Sequence, residues 1–261
     1  MSSSSSSSSS STPASQLAAK LGRRHPLQRL ESPGWGFSGT LHVVGLLIFY
    51  RDFRYLTLNP NIISSSYGWH FQYLTILGLT ISTLTFLLGL LGDLLTSPPL
   101  FLLKNYLLLL ATPISLLISL LYWPLRLLSP SLVVPPHLPM LPLTDDLGFH
   151  FFPAVFLTLD ALLLSPPWPT RPANPHAPAL TLGVSMGLAF AYWFWIERCY
   201  QHNGFYPYPI FGLLSTGQRV GLFALSGGMM WAVGAGLRRA YAAVNGLEGE
   251  EAEGAMGRRV E

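Results

Sequence analysis

Charge is scarce in this chain. Of its 261 residues only 10% are Asp, Glu, Lys or Arg, against about 25% in soluble domains. A soluble core of this size needs helices with polar faces, and stretches such as 106–122 have almost none, which argues against an ordinary soluble fold. Cysteine is nearly absent. Cys199 stands alone, so neither an intrachain disulfide nor a cysteine metal cluster is available. An apolar segment is missing from the start of the sequence: residues 2–11 are all Ser, and the polar tract continues through Thr12 and Pro13 towards Gly34. It does not read as a cleavable signal peptide. No repeat of solenoid period is visible. The net charge of +3 has no nucleic-acid character, because Lys20, Arg23, Arg24 and Arg29 have no interleaved aromatics to stack on bases.

What is present is apolar sequence. Half of the residues are hydrophobic, and they fall in long runs. A span of the hydrocarbon core needs about 20 mostly apolar residues. In lipid the backbone must satisfy its own hydrogen bonds, so such runs become helices. The reading is an all-α, polytopic membrane bundle of about six transmembrane helices, near residues 36–50 (extendable to Leu56), 69–95, 100–122, 147–164, 180–196 and 218–237. Pro98 and Pro99, then 135–142, then 166–178 punctuate them, and Pro124 blurs the end of the third. Three regions follow: a disordered Ser-rich tail at 1–34, a six-span domain at 35–242, and a Gly- and Glu-rich tail at 243–261. Residues 14–21 have room for a short amphipathic turn.

The positive-inside rule favours both termini in the cytoplasm. That arrangement puts Lys20, Arg23, Arg24, Arg29, Lys104, Arg171, Arg238 and Arg239 inside, and Arg51, Arg54, Arg126, Arg198 and Arg219 outside.

Ionisable groups at membrane depth are costly and face the bundle interior. His42, His70, Asp93, His150, Asp160 and Glu197 are such groups, and Thr75, Thr80, Thr83 and Thr85 add hydroxyls to the second span. Most threonines in a spanning helix simply bond back to their own carbonyl ladder, and a lone His near a helix end is usually a satisfied interface group. Depth singles out one pair. The second and fourth spans cross in the same direction. Thr75 lies about 9 Å in from Trp69, and His150 about 5 Å in from Leu147, at ~1.5 Å per residue. The two fall at one level near the same leaflet, where a neutral imidazole can take the proton of a Thr hydroxyl attacking an ester carbonyl. Asp160, about 15 Å beyond His150 along one straight helix, cannot touch it and is free to bind a polar group of another span. Asp93, near the inner end of the second span, reads as a solvated interface group.

The same residues resemble a known family. Tyr67-Gly68-Trp69-His70-Phe71-Gln72-Tyr73-Leu74-Thr75 is similar to the entry of an early span in the androgen-induced gene family. His150-Phe151-Phe152-Pro153, with an apolar run to Asp160, is similar to that family's His-bearing helix. Tyr206-Pro207, then Gly217 and Arg219, resemble its Tyr-Pro loop and the start of its last helix. The similarity covers about residues 69–237; Glu197-Arg198-Cys199 and the Ser-rich start have no counterpart in it. The resemblance implies a multi-span threonine hydrolase that cleaves fatty acid esters of hydroxy fatty acids. Thr75 is then the nucleophile and His150 the base, with Asp93, Asp160, Tyr206 and Arg219 as supporting residues. It implies a lipid ester substrate; no cofactor, metal or nucleic-acid partner is expected, and the endoplasmic reticulum or another endomembrane is the default residence for a lipid enzyme with an uncleaved first span. Three other readings compete: a small transporter using the intramembrane His and Asp, a haem protein using His42, His70, His150 and His202, and a non-enzymatic membrane scaffold.

Overall fold

The computed structural model describes residues 35–135, 138–165 and 176–245. The Ser-rich region 1–34 with its segment 14–21, most of the 166–178 connection, and residues 246–261 of the expected C-terminal tail lie outside the described residues. So does Arg171.

Eight α-helices are described: α1 (Thr40–Leu58), α2 (Leu74–Leu95), α3 (Pro98–Leu128), α4 (Leu143–His150), α5 (Phe152–Leu159), α6 (Ala177–Asn203), the single turn α7 (Pro209–Leu213) and α8 (Thr216–Asn245). A π-helical turn, Trp35–Gly39, leads into α1, and another, Asp160–Leu164, continues α5. Among the described residues there is no β-strand.

Among these residues α2, α3, α6 and α8 are each long and apolar enough to cross a membrane, and the α4–α5 pair, bent by 42°, makes a fifth span. α1 is the sixth long element of the bundle but falls short on composition, because its second half carries Arg51, Asp52 and Arg54. The protein is therefore an all-α membrane bundle, and the count of about six holds only if α1 is included.

Several boundaries differ from expectation for identifiable reasons. Pro98 and Pro99 open α3, where a missing N–H costs nothing. The helix then runs through Pro113 and Pro124 to Leu128, so Pro124 does not end it. Neighbouring helices and local adjustment re-satisfy the freed carbonyls of a proline in a packed membrane helix. The fourth span begins at Leu143 rather than near 147 and bends at Phe151 (φ −125°, ψ −56°), just before Pro153. α8 continues to Asn245, three residues past the expected edge of the spanning domain.

The helices form two sub-bundles. α2 packs along α3, with α1, α4 and α5 closing around them; α6 packs along α8, and α8 also rests on α3. Phe49, Leu79, Phe86, Leu108 and Leu157 fill the first group. Tyr192, Ile196, Phe211 and Phe223 hold α6, α7 and α8 together. Ile114, Leu117, Ile118 and Met230 join the halves. Lipid tails are as apolar as Leu, so these contacts act through close packing. For the same reason the exposed leucines 84, 87, 91 and 94, spaced three or four apart on α2, are at home facing lipid.

Candidate active site

The entry to α2 sets the position of Thr75. Gly68 turns the chain at φ +87°, and a Cβ there would lie 2.9 Å from Cys199 Sγ and 3.0 Å from Gln72 Cγ, so glycine is required twice over. A 3₁₀ turn, Trp69–Gln72, follows. Tyr73 is extended (φ −85°, ψ 130°), and α2 starts at Leu74. Thr75 is thus the second residue of the helix and has no carbonyl one turn behind it in that helix. The other α2 hydroxyls do: Thr80 donates to Ile76 O at 2.7 Å, Thr83 to Leu79 O at 2.8 Å and Thr85 to Ile81 O at 2.8 Å. The Thr75 hydroxyl instead faces the Tyr208 hydroxyl at 3.4 Å.

His150 ends α4 and is 7% exposed. Its Nδ1 lies 2.9 Å from Asp146 Oδ1, one turn earlier on the same helix. Asp146 is fully buried and accepts a second bond from Tyr122 Oη at 2.6 Å. Arg126 Nη1 stands 2.5 Å from its other oxygen. The Tyr122 ring lies flat on the imidazole, with centroids 3.5 Å apart and planes 3° from parallel, and Ser119 Oγ donates to the His150 carbonyl. An aspartate on Nδ1 selects the tautomer that carries its proton there, leaving Nε2 as the basic nitrogen.

Thr75 and His150 line one cavity of about 340 Å³. They are not hydrogen-bonded to each other, and contacts between nucleophile and base often tighten only when substrate is present. Tyr73, Tyr122, His70 and Tyr208 add polar or aromatic wall, while the rim is built by Asn59–Asn61 and by Val133–Pro135, Leu138 and Pro139. The Pro-rich connection read as mere punctuation is therefore part of the cavity. This mixture of apolar wall and a few convergent polar groups is typical of small-molecule sites.

The supporting residues separate into two groups. Tyr206 and Arg219 do not line the cavity. Glu197 receives Arg219 Nε at 2.9 Å and Tyr206 Oη at 3.0 Å. Arg219 also donates to the carbonyls of Phe211 and Leu214 at 3.2 Å and 2.6 Å. This clamp folds the loop that carries Tyr208. Burial and Glu197 push the Tyr206 phenol up to about 12, so it stays a donor. Asp93 and Asp160 stand elsewhere. Asp93 is eighteen residues after Thr75 on α2, about 27 Å away at 1.5 Å per residue, and it is buried rather than solvated. His42 bridges the two carboxylates, with Nδ1 2.8 Å from Asp93 Oδ2 and Nε2 3.1 Å from Asp160 Oδ2. Ser38 caps Asp93 at 2.8 Å, and Lys104 Nζ meets Asp160 Oδ1 at 2.5 Å. Lys104 is fully buried: it neutralises Asp160 and is no surface determinant of topology.

The other two histidines of the haem reading are engaged singly. His70 Nε2 meets Ser64 Oγ at 2.9 Å, and His202 stacks on Tyr67 at 4.1 Å. With His42 and His150 committed to aspartates, the four have separate surroundings rather than facing pairs.

Asp146, Tyr122 and Tyr208 went unnoticed in the sequence, and Arg126 was read only as a topology charge. For Asp146 a signal existed, since Asp146 and His150 have the i, i+4 spacing that puts two side chains on one helix face. Tyr208 had none, because only the folded loop brings it to α2.

A helical membrane bundle whose buried Thr and Asp-bound His share one cavity defines the class. Within it, residues 37–241 match the family model described as FAR-17a/AIG1-like protein, and the chain belongs to that family. A UPF0641 membrane protein of Schizosaccharomyces pombe is 36% identical over 180 residues, covering 67% of this chain and 76% of the relative. No solved structure matches the chain.

Proposed function

We propose that the protein is a membrane-embedded lipid ester hydrolase with Thr75 as nucleophile and His150 as general base, acting on fatty acid esters of hydroxy fatty acids in the endoplasmic reticulum or a related endomembrane. One observation carries this reading. Thr75 is the α2 threonine whose hydroxyl is not returned to its own helix, and it lines the same cavity as a histidine whose Nδ1 is bound by aspartate. Only a hydroxyl with a base within reach becomes a nucleophile.

In the proposed reaction Thr75 Oγ bonds to the ester carbonyl carbon as its proton passes to His150 Nε2. The carbonyl electron pair moves onto oxygen. Collapse of that intermediate breaks the bond to the alkoxy oxygen, which leaves with the proton held by His150. Water repeats the sequence on the acyl-threonine and frees the carboxylic acid. Asp146 holds the imidazole in the competent tautomer and stabilises its cationic form. A cavity opening near a span end suits an amphiphilic ester, whose chains remain in lipid while the ester meets water.

Labelling of membranes with a fluorophosphonate probe tests the reading. Wild-type protein is expected to label and to hydrolyse a hydroxy-fatty-acid ester, and Thr75→Ala and His150→Ala at matched expression are expected to do neither. Undiminished hydrolysis by Thr75→Ala rules out the mechanism.

A further inference from the structure

Attack on an ester carbonyl places negative charge on its oxygen, and a donor must meet it. That donor has to lie close to the nucleophile, in the cavity, with a proton not committed elsewhere. Three phenols surround the start of α2. Tyr73 lines the cavity too, but among the described residues it is the Tyr208 hydroxyl and not the Tyr73 hydroxyl that faces Thr75 Oγ. Tyr192 Oη donates its one proton to Gln72 O at 2.8 Å and accepts from Leu74 N at 3.0 Å, so it is spent on the backbone. Tyr208 differs. It lines the cavity, and its hydroxyl faces Thr75 Oγ at 3.4 Å. This is long for an O–H···O bond, normally about 2.5–3.0 Å, so little is lost when the proton turns to a better acceptor.

We infer that Tyr208 is the oxyanion donor of the site, its hydroxyl redirected from Thr75 Oγ to the ester carbonyl oxygen as that oxygen becomes charged. The inference rests on the hydrolase reading of Thr75 and His150. The carbonyl oxygen of an ester attacked by Thr75 Oγ sits beside that atom, within reach of a donor 3.4 Å away. The first turn of a helix also carries partial positive charge, which favours a nearby oxyanion. Burial raises the phenol above its ordinary value, so it remains protonated and donates a hydrogen bond without transferring a proton. The Tyr206–Glu197–Arg219 clamp, two residues and more away, holds the loop in place. It gives those residues a role in positioning Tyr208.

The test is Tyr208→Phe in the full-length protein in detergent or nanodiscs, beside Thr75→Ala. Loss of one oxyanion donor lowers kcat by about 10²–10³-fold. Tyr208→Phe is expected to show that loss in kcat and in the second-order rate of fluorophosphonate labelling, whose phosphoryl oxygen occupies the same position. KM is expected within about threefold of wild type and the pH profile unchanged, since His150 remains the base. Replacing Tyr208 with a fluorinated tyrosine keeps the shape and strengthens the donor; activity comparable to wild type in that protein, with Phe inactive, excludes a purely structural role. If Thr75→Ala is inactive while Tyr208→Phe keeps more than a third of wild-type kcat, the inference is overturned and the hydrolase reading stands. If Tyr208→Phe shifts the pH profile, Tyr208 carries the proton itself and the inference is again overturned. Full activity of Thr75→Ala overturns the underlying reading instead.

Discussion

Asp146 and His150 stand one turn apart on α4, with Asp146 Oδ1 2.9 Å from His150 Nδ1, and Asp146 is anchored in turn by Tyr122 and Arg126. The carboxylate fixes the imidazole from behind. Asp146→Asn keeps the volume but can present an amide N–H to Nδ1, favouring the wrong tautomer. Hydrolysis is expected to fall by about 10²–10⁴-fold, by analogy with triad aspartates, with the protein still folded by thermal scan. Wild-type rates in this variant would remove Asp146 from the site.

Position on the helix separates Thr75 from its neighbours. Thr85 is also fully buried, but its hydroxyl returns to Ile81 O. Thr85→Val is expected to retain probe labelling and ester hydrolysis within about threefold, with a stability change of roughly 1 kcal/mol or less, because a single intrahelical bond is worth little net. Thr75→Val is expected to lose labelling. Equal behaviour of the two variants would show that the hydroxyl at 75 has no special function.

The Ser38–Asp93–His42–Asp160–Lys104 network is a stability element at a distance from the cavity. Lys104→Met removes the cation facing Asp160 and leaves a fully buried carboxylate short of a partner. Breaking a buried pair on one side costs about 3–5 kcal/mol. The melting temperature in detergent is expected to drop sharply, whereas the double variant Lys104→Met, Asp160→Asn recovers part of it. Activity per folded molecule is expected to change little. Selective loss of activity without loss of stability would link this network to the site.

Gly89 admits that network. A Cβ there would lie 2.4 Å from His42 Nε2, far inside contact distance, so Gly89→Ala must displace the imidazole from Asp93 and Asp160. Overpacking of this kind costs about 1–3 kcal/mol. A lowered detergent melting temperature checks it, and an unchanged one would mean that His42 moves freely.

His70 makes folding pH-dependent. It precedes the α2 span, and burial holds its pKa below the ordinary 6.5. The unfolded chain therefore takes up a proton at higher pH than the folded one does. The folded state keeps its full advantage above 6.5 and loses it as pH falls through the lowered value. His70→Gln, which cannot titrate, is expected to flatten part of the decline in melting temperature between pH about 7.5 and about 5.5. An unaltered slope would show that other groups set it.

Much of this architecture is written locally. Runs of apolar residues without charge must become helices in lipid, but the depths expected for Thr75 and His150 did not hold, because α2 starts at Leu74 rather than Trp69 and α4 at Leu143 rather than Leu147. The Asp146–His150 pair carries a one-turn spacing, but with the span expected from Leu147 it was passed over, and the start of α4 at Leu143 brings it into one helix. Other features depend on contacts across the chain. Asp93 and Asp160 reside on different spans, and only the packing of α1 between them supplies His42 as their shared partner. Lys104 looks like a surface charge until α3 turns it onto Asp160. Tyr208 reaches Thr75 across 133 positions of sequence, through a loop held by Glu197 and Arg219. Sequence alone determined which segments are long and apolar enough to span, because composition and backbone hydrogen bonding within a helix are local. Which polar groups meet was decided by helix packing, since the direction a side chain faces depends on the neighbours that surround it.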